Sequence, residues 1–227
     1  PHRHVSEDPE VSAAARLYDL HMRYFVAALK RHGSNYAHPS LGSTLSIHAQ
    51  DYASVRGYPK RSAGEDFHIL NKLSKVTPLT QLTTPYIDVQ ARTSARVPFG
   101  TGPALTKIIQ VLDQDPSGSS YLSYNYASFK LLAQSLAEIA ATCQDTQAGK
   151  AEFSPQIRQI LDELGLQRIL PQLKNTSAAT KQRQRVADEW MDALKTLRFI
   201  HLARRFHPDK SLLETLHGEA QELQLLD

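Results

Sequence analysis

Apolar residues recur at three- and four-residue intervals along much of the chain, which is the spacing of one face of an α-helix. Over residues 10–32 this spacing is carried by Leu17, Leu20 and Tyr24. Gly33 follows directly, and glycine commonly ends a helix because it adopts a positive φ without strain. The pattern therefore predicts a long first helix over residues 10–32.

The same periodicity predicts six further helices. Their ends are marked by typical residues: Pro103 suits a first turn, Gly165 stops one helix, and Pro208 stops the last. Ser154 has a side chain that is preferred at an N-cap. The predicted helices cover residues 50–55, a stretch that begins near residue 65, a stretch that begins at residue 103, and residues 128–142, 155–164 and 178–206.

Short apolar runs between turn residues predict strands in the first part of the chain. Residues 41–47 fit a buried strand, and residues 79–82 and 86–89 are strand candidates on either side of Pro85. Six of the ten glycines and eight of the twelve prolines lie at or before Pro103. We therefore predict a helix-rich α/β chain with mixed structure in residues 1–102 and a mostly helical extension in residues 103–227.

The composition is that of a globular protein, because 41% of the 227 residues are hydrophobic and 22% are charged. The single cysteine, Cys143, cannot form an internal disulfide. A net charge of +3 is too small for a nucleic-acid-binding stripe, so no nucleic acid polymer is expected as a partner. No apolar run approaches the roughly 20 residues of a membrane span. The start, PHRHVSEDPE, has no signal-peptide layout and no initiator Met, and we interpret it as a cut edge of a cytoplasmic protein.

The densest chemical signal lies in GYPKRSAGEDFHILNKL, residues 57–73. Here Gly64 precedes two adjacent carboxylates, Glu65 and Asp66, at the start of an amphipathic helix. Free N–H groups and the helix dipole favour ionised carboxylates at this position. A carboxylate held there can act as a general base if substrate lies within hydrogen-bond reach. The alternative is ordinary capping of the helix N-terminus.

A second segment, QARTSARVPFGTGPALTKI, has the composition of a phosphate-binding site. Arg92 and Arg96 precede the turn formed by Gly100, Thr101 and Gly102, which leads into a helix. Closely spaced glycines let backbone N–H groups converge, and arginines bind phosphate through paired hydrogen bonds. The alternative is a structural turn whose arginines face water.

The stretch SLGSTLSIHAQDYASVRGYPKRSAGEDFHILNKLSKV, residues 40–76, resembles the acceptor side of bacterial family-2-type glycosyltransferases with the GT-A fold. Gly42 stands at the family's strand start, Arg56-Gly57-Tyr58 at its GG(F/Y) segment, and Gly64-Glu65-Asp66 at its GED helix. ARTSARVPFGTG resembles a segment that follows this helix in a bacterial subgroup. The resemblance covers roughly residues 10–104 and implies an acceptor-binding GT-A half followed by a helical extension.

The resemblance implies an inverting transfer of a sugar from a nucleotide-sugar donor to a hydroxyl acceptor. Asp66 would be the general base, and Glu65 would orient the acceptor or tune the base. Gly42, Ser43 and Gly64 would belong to the same acceptor-binding surface. The arginines and the glycine turn described above could stabilise the leaving diphosphate, an assignment that we infer from charge. A divalent metal, Mg²⁺ or Mn²⁺, is implied as a cofactor with ligands mostly outside this chain.

The sequence departs from the family in one major respect. GT-A enzymes bind the nucleotide with an N-terminal βαβ half and hold the metal through a D-x-D motif before the GED helix, and the chain shows neither. Asp113-Gln114-Asp115 spells the motif but lies after the acceptor segment, so we interpret it as a polar loop. We expect the chain to be a fragment without its donor-binding half, inactive when isolated.

An alternative function is a non-catalytic interaction module. His207-Pro208-Asp209 after a basic helix resembles the J-domain of chaperone partners. Leu164-Gly165, the candidate for the upstream helix start of such a domain, lies about twice as far away as in that family. The histidines predict no metal site in this chain, since we expect His2 and His4 in a frayed end.

The long helix predicted over residues 178–206 carries many cations. They could favour anionic lipid and association with the inner face of a membrane, they could favour an acidic partner, or they could form a solvated basic face. The cations are Lys181, Arg183, Arg185, Arg198, Arg204 and Arg205.

Overall fold

The computed structural model describes residues 1–95, 97–98, 100–145 and 152–223. These residues are helix-rich and include small sheets, as predicted for a helix-rich α/β chain. The helices are α1 (Pro9–Arg31), α2 (Ala49–Ser54), α3 (Glu65–Leu73), α4 (Thr101–Gln114), α5 (Tyr126–Gln144), α6 (Pro155–Glu163), α7 (Leu170–Leu173), α8 (Thr180–Trp190), α9 (Ala193–Ala203) and α10 (Leu212–Leu223). Gly42–Thr44 and Leu166–Arg168 form 3₁₀ turns.

Two parallel strands, β1 (His2–Val5) and β2 (Ile87–Gln90), form the first sheet. Their register pairs His2 with Ile87 and His4 with Val89. The prediction that the first residues are frayed is therefore wrong, because β2 supplies the hydrogen bonds that order them. β3 (Leu122–Ser123) and β4 (Lys210–Ser211) form a second two-stranded sheet.

Most of the predicted helices are confirmed within a few residues, but three predictions are wrong. Residues 41–47 form a 3₁₀ turn and extended chain instead of a strand, because Leu45 and Ile47 pack on α3. Residues 79–82 form no strand. The helix predicted over residues 178–206 is divided into α8 and α9 at Asp192, whose side chain accepts from the Lys195 N–H over 3.1 Å and so starts a new helix.

The chain folds into two compact units. The first contains residues Pro1–Ala27, His38–Ser123 and Ser211–Ala220. Its buried apolar side chains come largely from α1, α3 and α4, and include Ala14, Ala15, Leu17, Ile69, Leu70, Leu73, Leu105 and Ile108. The predicted functional boundary between residues 102 and 103 stays a prediction.

The second unit contains Ala28–Ala37, Tyr124–Lys210 and a short segment that starts at Gln221. Its buried apolar side chains come mainly from α5, α6 and α9, and include Phe129, Leu132, Ile139, Ile157, Ile160, Leu161, Phe199 and Ile200. Among the described helices, none is long and apolar enough to cross a membrane.

Candidate functional site

The start of α3 carries the two carboxylates that the sequence singled out. Gly64 occupies the N-cap with φ 71°, a left-handed conformation that glycine adopts without the steric cost of a side chain. The Gly64 carbonyl accepts the His68 N–H over 3.1 Å. Glu65 is exposed and Asp66 is half-buried, so both carboxylates lie in the first turn of the helix, where the dipole favours negative charge.

The side chain of Asp66 joins α3 to the preceding loop. Its Oδ2 accepts the Gly42 N–H over 3.0 Å, and its Oδ1 accepts the Phe67 N–H over 2.7 Å. Each carboxylate oxygen has two lone pairs, so one acceptor position on each oxygen is left after these bonds. The carboxylate is thus held in one orientation while keeping the capacity to accept a proton.

A small apolar cluster packs one face of α3 against the preceding and following loops. Val55, Ile69 and Leu73 are buried, and Leu45, Ile47 and Leu79 pack against them. Lys72 donates from Nζ to the Val55 carbonyl over 3.1 Å, which fixes the end of the loop that leads into the candidate site. The apolar residues that predicted strands thus serve as the base on which the carboxylate helix lies.

The Arg56-Gly57-Tyr58 segment is a tight turn against Tyr52. Arg56 and Gly57 both have positive φ, 60° and 64°. A Cβ at Gly57 would lie 2.7 Å from the end of the exposed Tyr52 ring, so the positive φ and this close approach both favour glycine there. Tyr58 follows in the turn: burial raises the pKa of its hydroxyl, and the charges of Asp66, Tyr52 and Glu65 raise this pKa further.

Helix α1 contributes Tyr18 to the same surroundings. Burial raises the pKa of Tyr18, a hydrogen bond with the Thr101 side chain opposes this shift, and the charges of Asp19 and Asp66 add to it. Tyr18 therefore lies within electrostatic range of Asp66 and contacts Thr101 in the glycine turn. Nothing in the spacing of α1 distinguishes this tyrosine from a core residue, so no local pattern predicts its role.

The glycine turn predicted at residues 100–102 is the start of α4, and its two glycines have separate structural roles. Gly100 is the N-cap of α4 with φ 107°, a conformation that disfavours any other residue. A Cβ at Gly102 would lie 2.6 Å from the Ser94 Cβ and 2.9 Å from the Ser94 nitrogen. The turn therefore folds back on the chain between residues 91 and 95, where Arg92 is exposed.

Of the residues predicted for the site, Gly42 and Asp66 are in direct contact. Thr101 forms a hydrogen bond with Tyr18, whose pKa is also affected by the charge of Asp66. Ser43 is exposed beside Gly42. Arg96 lies outside the described residues. Tyr58 belongs to the Arg56-Gly57-Tyr58 motif, and its hydroxyl lies within electrostatic range of Asp66 and Glu65.

Asp115 is engaged in a serine turn. Its carboxylate accepts from the Ser117 hydroxyl over 2.5 Å, from the Ser119 hydroxyl over 3.0 Å and from the Ser120 N–H over 2.7 Å. These bonds, with Ser117 contributing most, lower the pKa of Asp115 well below its usual range. Asp115 thus satisfies neighbouring serine donors, as expected of a polar loop. The prediction is wrong for Asp113 and Gln114, which form the last turn of α4 because the apolar periodicity of that helix continues through Leu112.

His2 and His4 on β1 meet Asp19 on α1. The His4 Nδ1 lies 2.6 Å from Asp19 Oδ1, and the His2 Nε2 lies 3.8 Å from the same oxygen. Burial lowers the pKa of His2, and the charge of Asp19 only partly opposes this. Burial alone would raise the pKa of Asp19, but its bonds to His4 outweigh this effect and lower the pKa. This cluster was not predicted; the sequence signal for it is the H-x-H spacing, which puts both imidazoles on one face of a strand.

The HPD segment in the second unit is tied down by its own neighbours. Arg204 pairs with Asp209 through two nitrogens, and Asn125 donates from Nδ2 to the Pro208 carbonyl over 3.1 Å. The bond from Asn125 thus holds Pro208 in place after the end of α9. Asp209 neutralises the charge of Arg204 at the C-terminal end of that helix. The chaperone-partner alternative stays a prediction.

The basic face predicted for residues 178–206 is largely neutralised. Arg183 is only 2% exposed and donates from Nη1 to the Asp145 carbonyl over 3.0 Å, so it does not face solvent. Arg185 pairs with Glu189 over 2.7 Å, and Arg205 pairs with Glu163 over 2.5 Å. The prediction that Arg183 lies on a lipid-facing or solvated basic face is therefore wrong, because its guanidinium is buried against the Asp145 carbonyl that follows α5.

The second unit also contains a cavity of about 310 Å³ between α5, α8 and the segment that follows α1. Tyr36 lines it and donates from its hydroxyl to the Asp188 carbonyl over 3.2 Å. Burial, with the nearby charges of Asp192 and Asp188, raises the pKa of Tyr36 to about 12. The tyrosine is therefore a neutral structural donor in this cavity and no general base.

Comparisons of the chain with protein-family models, with curated proteins and with solved structures gave no match.

Proposed function

We propose that the chain is the acceptor-binding part of an inverting glycosyltransferase of the GT-A type, with Asp66 as the general base. The observation that carries the proposal is the hydrogen bond from the Gly42 N–H to Asp66 Oδ2. The two residues belong to separate segments of the resemblance described above, and this bond brings the two segments together. Tyr58 and Tyr18, both within electrostatic range of Asp66, add aromatic groups for a sugar or another hydroxyl-bearing acceptor.

The geometry of Asp66 is suited to base catalysis. An alcohol that attacks an anomeric carbon must lose its proton on the face opposite the leaving group. Asp66 is held by the N–H groups of Gly42 and Phe67 and keeps further acceptor positions on both oxygens. In the proposed reaction the acceptor O–H donates to one of these positions, the proton passes to Asp66 as the new C–O bond forms, and the bond to the nucleoside diphosphate breaks with its electron pair. Glu65, exposed one residue earlier, orients the acceptor.

The leaving diphosphate needs positive charge, and the turn before α4 is the proposed source in this chain. Arg92 is exposed, and Thr101 and Gly102 begin a helix whose free N–H groups attract anions. We propose that the nucleotide-sugar and an accompanying Mg²⁺ or Mn²⁺ ion are held mainly by residues outside this chain. A cytoplasmic location belongs to the same proposal, because the single buried cysteine gives the fold no need of an oxidising compartment.

The class of reaction is tested with the product of the longest open reading frame that encodes this chain. It is incubated with a panel of nucleoside-diphosphate sugars, Mg²⁺ or Mn²⁺, and hydroxyl-bearing acceptors extracted from the source cells. The expected result is release of nucleoside diphosphate that depends on the acceptor, with inverted anomeric configuration in the product by NMR. Absence of release across the panel, or a product of retained configuration, would overturn the proposal.

A further inference from the structure

The cluster of His2, His4 and Asp19 has the features of a built metal site. Alternate residues of a strand face the same side, so β1 presents both imidazoles to α1, which supplies the carboxylate. Their side chains are 10%, 1% and 8% exposed. The two rings meet edge to face with centroids 5.4 Å apart, and ligand atoms from all three residues lie within 4.8 Å of one another.

One atom of the cluster is left without a protein partner. The Nδ1 of His4 is hydrogen-bonded to Asp19, but its Nε2 is buried and has no hydrogen-bond partner among the described residues. A buried polar atom left unpaired costs about 1–3 kcal/mol. The hydrogen bond with Asp19 satisfies the buried Nδ1 of His4 but leaves the buried Nε2 unsatisfied. The ring therefore keeps one buried donor or acceptor position, Nε2, that Asp19 does not satisfy.

The surrounding backbone holds these side chains in place. The His4 N–H donates to Asp19 Oδ2 over 2.9 Å, so the carboxylate is oriented by two separate bonds to His4. Arg23 donates from Nη2 to the His2 carbonyl over 3.0 Å, and pairing with β2 fixes β1 along its length. Partners of this kind, which orient the ligands of a metal, are typical of protein metal sites.

We propose that His2, His4 and Asp19 bind one divalent transition-metal ion of the zinc class. Two imidazoles and one carboxylate form a donor set that suits Zn²⁺ and its neighbours in the first transition row, whereas Mg²⁺ prefers oxygen ligands. Bonds of about 2.0–2.1 Å place ligand atoms of a tetrahedral zinc roughly 3.3 Å apart, so small side-chain rotations bring the three residues to that spacing. This site is separate from the proposed sugar transfer and does not depend on it.

The test is metal binding by the full chain after treatment with a chelator. Zn²⁺ is titrated by calorimetry, and Co²⁺ is used as a visible probe, because its absorption reports coordination by nitrogen and oxygen ligands. The variants are His2→Gln and Asp19→Asn, and the control is His48→Gln, which removes an exposed histidine outside the cluster. Circular dichroism confirms that each variant is folded.

The expected result is one Zn²⁺ per chain for the wild type and for His48→Gln, with affinity at least about tenfold weaker in both cluster variants. Zn²⁺ should also raise the unfolding temperature of the wild type, and Mg²⁺ should not. Zinc binding that is equal in the cluster variants and the control would overturn the proposal. If neither cluster variant folds, the wild-type Co²⁺ spectrum decides: a tetrahedral ligand-field band supports the site, and the spectrum of the hydrated ion overturns it.

Discussion

The N–H of Gly42 donates to the carboxylate of Asp66 over 3.0 Å and so connects two residues that are 24 positions apart. A Cβ on Gly42 would lie 3.5 Å from the Asp66 Cβ, which is ordinary van der Waals contact. The glycine is therefore not required by sterics at this point. Its backbone N–H is what orients Asp66, and this relationship is the basis for the proposed role of that carboxylate.

A side chain at Gly57 should weaken the turn formed by Arg56, Gly57 and Tyr58. An alanine there combines a positive φ with a Cβ placed 2.7 Å from the end of the Tyr52 ring, which is exposed and can move aside. Strain of about 1–2 kcal/mol from the backbone and about 1 kcal/mol for displacing the ring predict that Gly57→Ala lowers the free energy of unfolding by about 2–3 kcal/mol. Urea denaturation measures this value. Gly33→Ala is the control: Gly33 has φ 74° and nothing within 4 Å of an added Cβ, so only the backbone cost of about 1–2 kcal/mol is expected.

Gly102 offers a test of why the turn before α4 is rich in glycine. The Gly102→Ala Cβ would meet the backbone and Cβ of Ser94, which cannot move without shifting the chain. We expect Gly102→Ala to lower the free energy of unfolding by about 1–3 kcal/mol even when no phosphate is present. Denaturation in phosphate-free buffer checks this. A variant as stable as the wild type would show that close packing is not the reason for this glycine.

Two N-caps in the second unit should differ in energetic importance. Asn125 accepts the Ala127 N–H over 3.0 Å and also donates to the Pro208 carbonyl, whereas the Ser154 side chain makes no capping bond to α6. Asn125→Ala should therefore cost about 1–2 kcal/mol and Ser154→Ala less than about 0.5 kcal/mol. Asn125→Asp keeps the cap but loses the donor, so an intermediate stability is expected. Equal losses for both alanine variants in thermal unfolding would contradict these roles.

The stability of the fold should fall in mild acid, partly because of His38. Burial lowers the pKa of His38 below the ordinary value of 6.5. Below pH 6.5 the unfolded chain then binds more protons than the folded chain, so stability is lost as pH falls from this value towards the lowered pKa. Free energies of unfolding measured between pH 7 and pH 5 should decline less steeply for His38→Phe than for the wild type. His48→Gln serves as the control, and a slope for His38→Phe equal to that of the wild type would remove His38 as a cause.

The helical part of the fold could be predicted because it depends on local signals. The spacing of Leu17 and Tyr24 and the position of Gly33 define α1 to within about a residue at each end. The sequence also indicated that Asp66 begins a helix, because Gly64 and the paired carboxylates form a typical N-terminus. Periodicity and end signals need no knowledge of distant residues.

The remaining features depend on contacts between distant parts of the chain. Residues 41–47 have the apolar content of a strand, but their partner is α3 rather than another strand, and nothing local distinguishes the two cases. His2 and His4 seemed unanchored because β2 pairs with them from about 85 residues away. Tyr18 resembles any core residue of α1 until Thr101 is folded against it. The structure at each of these positions depends on contacts with residues far away in the sequence. Local patterns in a single sequence do not show which distant residues will meet.

The most direct test of the central claim is the turnover number of Asp66→Asn in the product of the longest open reading frame that contains the chain. The amide keeps the size of the side chain, and its oxygen can still accept from Gly42, but it cannot take a proton from the acceptor hydroxyl. Asp113→Asn, an exposed carboxylate on α4, is the matched control. If Asp66 is the general base, Asp66→Asn lowers kcat by about 10²–10⁴ while nucleotide affinity is unchanged and the control keeps full activity. The unfolding temperature should fall slightly, because the amide nitrogen cannot accept from the Phe67 N–H. Turnover within a few-fold of the wild type would contradict the assignment.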